Sequence, residues 1–289
     1  MLAQRVFTAV VLLGVFGLIT VFSTPFIFAL VLAFLVLLGG VEWTHFIGLK
    51  TLYSRIGYLL SLVVLMVGLI YLLGINPSAT ELESRWVISV LLLGSFFWLL
   101  AILLIRGYPG NKKDWADEPH IALMGVFVLI PTWVGIVQLK YLDNSGMLFL
   151  ALLGLVSVSD IGAYFTGKAW GKSKLAPLVS PNKSWAGFWG GMVCCVALCV
   201  IMVVGVNRFD ASISVAQSLL IIVGSGVVFL SSVIGDLFES MMKRNRQLKD
   251  SGTLLPGHGG ILDRIDSMTA AAPISVLLLV FILAELWNR

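Results

Sequence analysis

The stretch VAQSLLIIVGSGVVFLSSVI, residues 215–234, runs for twenty residues without a charged side chain. A hydrocarbon core about 30 Å thick needs roughly 17–25 residues of helix to cross it. This stretch therefore predicts a transmembrane helix, and eight further runs of similar character occur along the chain. The nine predicted spans cover residues 6–22, 26–44, 56–73, 86–105, 121–139, 147–165, 185–206, 215–234 and 268–286.

The composition of the whole chain agrees with this pattern. Of the 289 residues, 59% are hydrophobic and 12% are charged, whereas about a quarter of the residues in a soluble domain are charged. We therefore predict an all-α polytopic membrane protein without a soluble domain. Residues 1–145 hold about five spans, and residues 146–289 form a C-terminal catalytic region with the loops 167–184 and 235–267.

The first apolar run, 6–22, follows Arg5 in the manner of a signal peptide. No small-x-small cleavage site comes after it, and the next apolar run begins directly after Ser23, Thr24 and Pro25. We interpret the first run as a retained span that forms a tight helical hairpin with the second.

The distribution of basic residues predicts the orientation of the spans. With a cytoplasmic N-terminus, fifteen of the nineteen Lys and Arg residues lie on the cytoplasmic side, and only Arg85, Lys140, Arg208 and Arg289 lie outside. Cytoplasmic loops are enriched in Lys and Arg, so we predict a cytoplasmic N-terminus and a periplasmic (outside) C-terminus. The net charge of +4 then reflects topology and attraction to anionic lipids, and no nucleic-acid partner is expected.

Three carboxylates, Glu42, Asp160 and Asp236, fall at the predicted cytoplasmic ends of apolar runs. A charge at the edge of the hydrocarbon is costly unless it faces a polar cavity or a partner. One such residue could simply snorkel, but three on one face indicate a polar site there. Whether Glu42 belongs to that site is left open by the sequence.

The loop 167–184 carries Lys168, Lys172, Lys174 and Lys183 among Gly and Ser residues. Lysine side chains and glycine backbone N–H groups are typical ligands of phosphate. A basic loop that only fixes the topology would have the same composition, so this loop alone does not decide between the two functions.

The loop 235–267 is more specific. Ser240, Lys243 and Arg244 follow Asp236 at helical spacing, which predicts that the preceding span continues out of the membrane as a helix. Gly-rich residues 257–260 then precede a second predicted helix, whose N-terminal N–H groups are expected to face a phosphate.

Two carboxylates, Asp263 and Asp266, lie three residues apart and therefore on one face of this second helix. Carboxylates beside phosphate and several cations indicate a divalent metal held between protein and phosphate oxygens. Each feature alone is common on solvated helices, but their combination favours a functional site.

One continuous pattern is similar to the signature of the bacterial phosphatidate cytidylyltransferases (CDP-diacylglycerol synthases): Ser240-x₂-Lys243-Arg244-x₄-Lys249-Asp250-x-Gly252-x₂-Leu255-Pro256-x-His258-Gly259-Gly260-x₂-Asp263-Arg264-x-Asp266. Residues 160–168 and 180–187 also resemble family elements, although Asn182 and Ala186 stand where many members carry Lys and Glu. The resemblance covers the C-terminal half closely, whereas the first 150 residues match only as a run of spans.

This resemblance implies a reaction, a cofactor and a set of residues. CTP and phosphatidate would give CDP-diacylglycerol and pyrophosphate on the cytoplasmic side of the cell inner membrane, with Mg²⁺, alone or beside a second cation, bound by Asp236 and Asp263. The catalytic residues that it implies are Asp236, Asp263, Lys243, Arg244 and Asp266. The substrate-binding residues that it implies are Asp160, Tyr164, Lys168, Ser180, Lys183, Ser240, Lys249, Asp250, His258, Gly259, Gly260 and Arg264.

Three other protein classes share some of these features. A CDP-alcohol phosphatidyltransferase would carry an Asp-Gly-x₂-Ala-Arg motif, which is absent from this sequence. A CTP-dependent polyprenol or dolichol kinase uses the same nucleotide and differs in its products. An ion or solute transporter would place its charges near the middle of the membrane, in broken helices. The sequence does not distinguish a monomer from a homodimer.

Overall fold

The computed structural model describes residues 14–210, 213–255 and 259–287, most of which are helical. The described part of a first helix, α1, covers residues 14–22. The longer helices that follow are α2 (Pro25–Ile47), α3 (Leu52–Leu72), α4 (Ser84–Gly107), α5 (Glu118–Leu142), α6 (Met147–Trp170), α7 (Trp185–Asp210), α8 (Val215–Asn245) and α9 (Leu262–Trp287). Within the described residues, these eight helices are long and apolar enough to cross a membrane.

The prediction of an all-α polytopic membrane protein is therefore confirmed. Eight of the predicted spans coincide with α2 to α9. Their ends are shifted by at most six residues, except that α8 extends to Asn245. The remaining predicted span, 6–22, lies partly outside the described residues, and its described part is helical.

The largest differences from the predicted boundaries occur in the two long loops. As expected, α8 continues beyond the apolar run, and it ends at Asn245. Because α9 already begins at Leu262, the connection between the two helices is only 246–261. The predicted loop 167–184 contains the last turn of α6 and an antiparallel hairpin of β1 (Lys174–Ala176) and β2 (Ser180–Ser184). The hairpin was not predicted because its strands are too short to show an alternating pattern.

Polar residues in the short connections start several helices. Thr24 accepts a hydrogen bond from the Ile27 N–H, and Pro25 occupies the first turn of α2. Ser214 and Gln217 form a reciprocal capping box at the start of α8. Such caps satisfy N–H groups that have no partner within the helix, and they account for two helix starts directly after short turns.

The central helix is α5, which packs against α2, α4 and α9 and has most of its apolar stretch buried. Glycines allow its neighbours to approach closely, as is common between membrane helices. A methyl group added at Gly94 would lie 2.4 Å from Pro131 Cβ, and one at Gly135 would lie 3.1 Å from the backbone of Ala272. The helices α4 and α9 are thereby held against α5.

Successive helices alternate in direction, so α2, α4, α6 and α8 end where α3, α5, α7 and α9 begin. We call this side of the bundle the charged end. The Arg246 guanidinium donates to the carbonyl oxygens of Phe46 and Ile47 at the end of α2. Lys112 Nζ lies 3.5 Å from the Asn245 carbonyl oxygen at the end of α8. These contacts tie the connections of the charged end to one another.

The close approach of α4 to α5 can be tested with a matched pair of variants. We expect Gly94→Ala to lower the free energy of unfolding by about 1–3 kcal/mol, because the new methyl group overlaps Pro131. The control is Gly68→Ala in α3, where an added Cβ meets nothing within 4 Å. The measurement is the thermal midpoint of unfolding in detergent micelles, and equal midpoints for the two variants would contradict the packing.

Candidate functional site

A cleft of about 510 Å³ lies at the charged end between α6, α7, α8 and the β1–β2 hairpin. One part of its wall is charged and is formed by Asp160, Lys168, Lys183 and Asp236. The other part is apolar. It is formed by Ala163, Leu175, Phe188, Phe229 and Val233. A cleft with these two walls can accommodate a molecule that has an anionic head and a hydrocarbon body.

The charged wall is organised by an ion pair between the hairpin and α8. Lys183 Nζ lies 2.5 Å from Asp236 Oδ2, and Ser240 Oγ, one turn further along α8, donates to Asp236 Oδ1 at 3.3 Å. Asp160 is within electrostatic range of both Asp236 and Lys183. Asp160 and Asp236, two of the three carboxylates expected at one face, therefore line the same cleft.

A second contact fastens the same hairpin to α8. Arg244 Nε donates to the Val179 carbonyl oxygen at 3.4 Å, and the Val179 side chain is buried. The hairpin is thus held at Val179 and at Lys183. Its position relative to Asp236 is consequently set by α8 itself.

A second cluster, which we call the Lys243 cluster, consists of Glu239, Lys243 and Asp263. Lys243 Nζ donates to Glu239 Oε2 at 2.8 Å and to Asp263 Oδ1 at 2.7 Å. The side chains of Lys243, Glu239 and Asp263 are 15%, 6% and 9% exposed, so water screens these ion pairs weakly. The cluster joins α8 to the first turn of α9.

Asp263 is oriented by its other oxygen. Asp263 Oδ2 accepts hydrogen bonds from the Ser251 N–H at 2.9 Å, the Ser251 hydroxyl at 3.0 Å and the Gly260 N–H at 2.8 Å. The two backbone N–H groups hold this oxygen permanently, whereas the Ser251 hydroxyl shares its one proton between Asp263 and Glu42. Asp263 Oδ1, which faces Lys243, retains lone-pair capacity for a further ligand.

The expectation that the first N–H groups of α9 face a phosphate is wrong for the residues described. The N–H groups of Ile261 and Leu262 both donate to the Glu42 carboxylate at 2.9 Å, and that of Gly260 donates to Asp263. Carboxylates of the protein therefore take the place that a bound anion was expected to occupy. The physical reason is that the buried Glu42 charge needs these donors.

Several other predicted residues lie around the Lys183–Asp236 ion pair and the Lys243 cluster. Lys168 Nζ lies 5.9 Å from the centre of the Tyr164 ring. Asp266 is within electrostatic range of Asp236, Lys183 and Lys243. Ser180 pairs with Ala176 in the hairpin.

The remaining predicted residues lie on or next to the connection between α8 and α9. Lys249, Asp250 and Arg264 are exposed. Gly259, which has a φ of +84°, accepts a backbone hydrogen bond from Leu255. His258 lies outside the described residues.

Three residues of the site were not assigned to it from the sequence. Glu239 lies one turn before Lys243 on α8, and this spacing could have revealed it. Ser251 gave no local signal. Glu42 was noticed as a carboxylate at the end of an apolar run, but its role was left open because its backbone partners lie 219 and 220 residues later in the chain.

Comparisons with known proteins identify the family of the chain. The model of the cytidylyltransferase family matches residues 3–282. A phosphatidate cytidylyltransferase of Pseudomonas aeruginosa is 41% identical over 280 residues, which cover 96% of this chain and 97% of that protein. The corresponding enzyme of Haemophilus influenzae is 38% identical, covering 94% and 96%, and that of Bacillus subtilis is 36% identical, covering 63% and 66%.

The chain belongs to the phosphatidate cytidylyltransferase family. The resemblance seen in the sequence is thereby confirmed, and the match extends over the N-terminal spans as well as the C-terminal half.

The carboxylates of this candidate site fit a bound cation. Five carboxylates, of Asp160, Asp236, Glu239, Asp263 and Asp266, lie at the cleft and around Lys243, and three of them pair with Lys183 or Lys243. Glu239 Oε1 is buried and has no hydrogen-bond partner among the described residues. Oxygen ligands of this kind suit Mg²⁺. No group of three or more metal-ligating side chains is formed within the described residues, and Mg²⁺ typically binds one or two carboxylates together with waters and substrate phosphates.

The contribution of the Lys243 cluster to stability can be tested by mutation. We expect Lys243→Met to lower the free energy of unfolding by about 3–5 kcal/mol, because it leaves two buried carboxylates without their cation. Lys243→Arg, which keeps the charge, should lose less, and Glu239→Gln added to Lys243→Met should restore part of the loss. The thermal midpoint of unfolding in detergent micelles is measured for all three variants. A Lys243→Met midpoint equal to that of the unmodified protein would show that the ion pairs of the cluster do not stabilise the fold.

Proposed function

We propose that this chain catalyses the reaction of CTP with phosphatidate to give CDP-diacylglycerol and pyrophosphate. The observation that carries the proposal is the cleft at the charged end, where an apolar wall adjoins a wall of lysines and carboxylates. The relatives named phosphatidate cytidylyltransferase support the same reaction. The diacylglycerol part of the lipid would contact the apolar wall, and its phosphate would lie at the charged wall.

The chemistry requires little proton transfer. A phosphate oxygen of phosphatidate attacks the α-phosphorus of CTP, and the bond from that phosphorus to the oxygen leading to the β-phosphate breaks. The attacking oxygen is already ionised near neutral pH, so no strong general base is needed. The main barrier is repulsion between two polyanions, which fixed positive charges reduce.

The lysines supply these fixed charges. We propose that Lys168 and Lys183 face the lipid phosphate, because both line the cleft. Lys243 and Arg244 lie on the next turns of α8 and are proposed to neutralise charge on the departing pyrophosphate. Lys249, Asp250, His258, Gly259, Gly260 and Arg264 are proposed to contact the nucleotide, together with Ser180, Ser240 and Tyr164 beside the cleft.

Magnesium is proposed as the cofactor, with Asp236 and Asp263 as its protein ligands and Asp160 and Asp266 close to that centre. When bound, it would neutralise phosphate oxygens that the lysines do not reach. Asp263 is already oriented by the donors to Oδ2. The same acidic group offers oxygen ligands to a second cation.

The need for CTP also bears on the orientation of the protein in the membrane. We propose that the charged end faces the cytoplasm, where CTP is present, and that the protein lies in the inner membrane with its N-terminus inside. Residues 146–289 would supply the catalytic groups, and residues 1–145 would support them. Since one chain assembles the cleft, the proposal holds equally for a monomer and for a homodimer.

The reaction is tested with CTP labelled separately at the α- and γ-phosphates. Purified protein in mixed detergent–lipid micelles is given phosphatidate and Mg²⁺. We expect the α-label to enter the lipid and the γ-label to leave as pyrophosphate. Transfer of the γ-label to the lipid would identify a lipid kinase instead, and no label in the lipid would contradict the proposal.

The metal ligands are tested by removing their charge. We expect Asp236→Asn and Asp263→Asn each to reduce turnover by more than about a hundredfold, because an amide is a poor replacement for a carboxylate that holds a cation beside phosphate. The matched control is Asp114→Asn, an exposed residue on the α4–α5 connection. Either variant retaining near-normal turnover at the same magnesium concentration would show that the assigned metal site is wrong.

A further inference from the structure

The carboxylate of Glu42 is the most completely enclosed charge at the charged end. Glu42 belongs to α2, it is 1% exposed, and its two oxygens accept hydrogen bonds from the Ile261 N–H, the Leu262 N–H and the Ser251 hydroxyl, each at 2.9 Å. These bonds place the carboxylate at the positive end of the α9 dipole, where a negative charge is favourable. A group so enclosed cannot reach a substrate.

The connection between α8 and α9 closes tightly around this carboxylate. A Cβ atom added at Gly252 would lie 2.5 Å from Glu42 Oε1, and one added at Gly260 would lie 2.4 Å from Glu42 Oε2. A side chain at either position would therefore displace Glu42. These two glycines thus have a packing role that the phosphate-binding interpretation of the sequence did not include.

Ser251 links Glu42 to Asp263. Its hydroxyl oxygen lies 2.9 Å from Glu42 Oε2 and 3.0 Å from Asp263 Oδ2, and its N–H donates to the same Asp263 oxygen. A hydroxyl carries one proton, so it donates to one carboxylate at a time while lying between both. The position of Asp263 is therefore coupled to that of Glu42 through one residue.

The end of α2 is held against the same connection at two further points. His45 Nδ1 lies 3.2 Å from the Ser251 carbonyl oxygen, and Arg246 Nε donates to the Phe46 carbonyl oxygen at 2.6 Å. The last two turns of α2 thus contact residues near both ends of the connection. A helix of the N-terminal half thereby determines where the connection lies relative to α8.

We infer that Glu42 is a positioning residue of the catalytic centre, acting through Ser251 and the start of α9 on Asp263. The role of Asp263 in this inference rests on the proposed function. The contacts that link Glu42 to Asp263 are independent of that function. Without the carboxylate, two N–H groups at the start of α9 lose their acceptor, and Asp263 loses part of the support that orients it toward Lys243. Residues that orient metal-binding side chains typically change activity or metal affinity by about 10–100-fold when replaced.

The test compares Glu42→Gln with Glu42→Asp and with the control Glu81→Gln, which makes the same chemical change at an exposed residue between α3 and α4. We expect Glu42→Gln to lower kcat by about 10–100-fold with a smaller change in KM for CTP. Glu42→Asp should recover part of the loss, because it retains the charge. Glu81→Gln should leave kcat unchanged.

A second readout does not depend on activity. Backbone amide exchange, followed by mass spectrometry, should become faster in Glu42→Gln for peptides covering residues 250–262, while peptides from α4 and α5 keep their protection. Unchanged exchange in 250–262, or a kcat equal to that of the unmodified protein, would overturn the inference. Uniformly faster exchange throughout the chain would also overturn it, because that result indicates general destabilisation.

A third variant covers the case in which Glu42→Gln does not fold. Ser251→Ala keeps the bonds from Glu42 to α9 and removes only the hydroxyl between the two carboxylates. We expect it to lower kcat as well, and where both variants fold, the combined loss should be smaller than the product of the separate losses. Independent losses would show that Glu42 does not act through Ser251. If the unmodified protein shows no cytidylyl transfer, the proposed function fails, and the exchange data still decide the role of Glu42.

Discussion

The ammonium group of Lys243 holds together the end of this bundle where the charged residues collect. It pairs with a carboxylate of its own helix and with one at the start of α9, and all three side chains are largely shielded from water. Burying one of these charges alone would be prohibitively costly. The three charged side chains together hold the C-terminal end of α8 against the start of α9. The short connection between these two helices is fixed as a result.

The cleft beside this cluster follows from the same arrangement. Because α8 remains helical beyond its apolar run, it carries Asp236 to the cleft and Ser240 to its contact with Asp236. The same helix brings Lys243 to α9 and Arg244 to the hairpin. The hairpin is attached to this helix through Lys183 and Val179, and the cleft is enclosed between them. Phe229 and Val233 of α8 belong to its apolar wall, which under the proposed function would contact the lipid.

Much of this arrangement was predictable from the sequence. Apolar runs of about twenty residues set the spans, and the helical spacing of Ser240, Lys243 and Arg244 after Asp236 correctly indicated that α8 extends beyond its apolar run. The hairpin was missed because its strands contain only three and five residues. The cap of α9 was misjudged because a free helix N-terminus attracts any anion, and the sequence pattern cannot show that Glu42, more than two hundred residues away, supplies that anion.

The central claim is that nucleotide and lipid meet at the cleft and the Lys243 cluster. The most direct test is an experimental structure of the protein bound to Mg²⁺ and a non-reactive CTP analogue. We expect the triphosphate to lie between the β1–β2 hairpin and the Lys243 cluster, with the metal in contact with Asp236 or Asp263. A triphosphate bound elsewhere, with the ion pairs of Lys183 and Lys243 unchanged, would contradict the account.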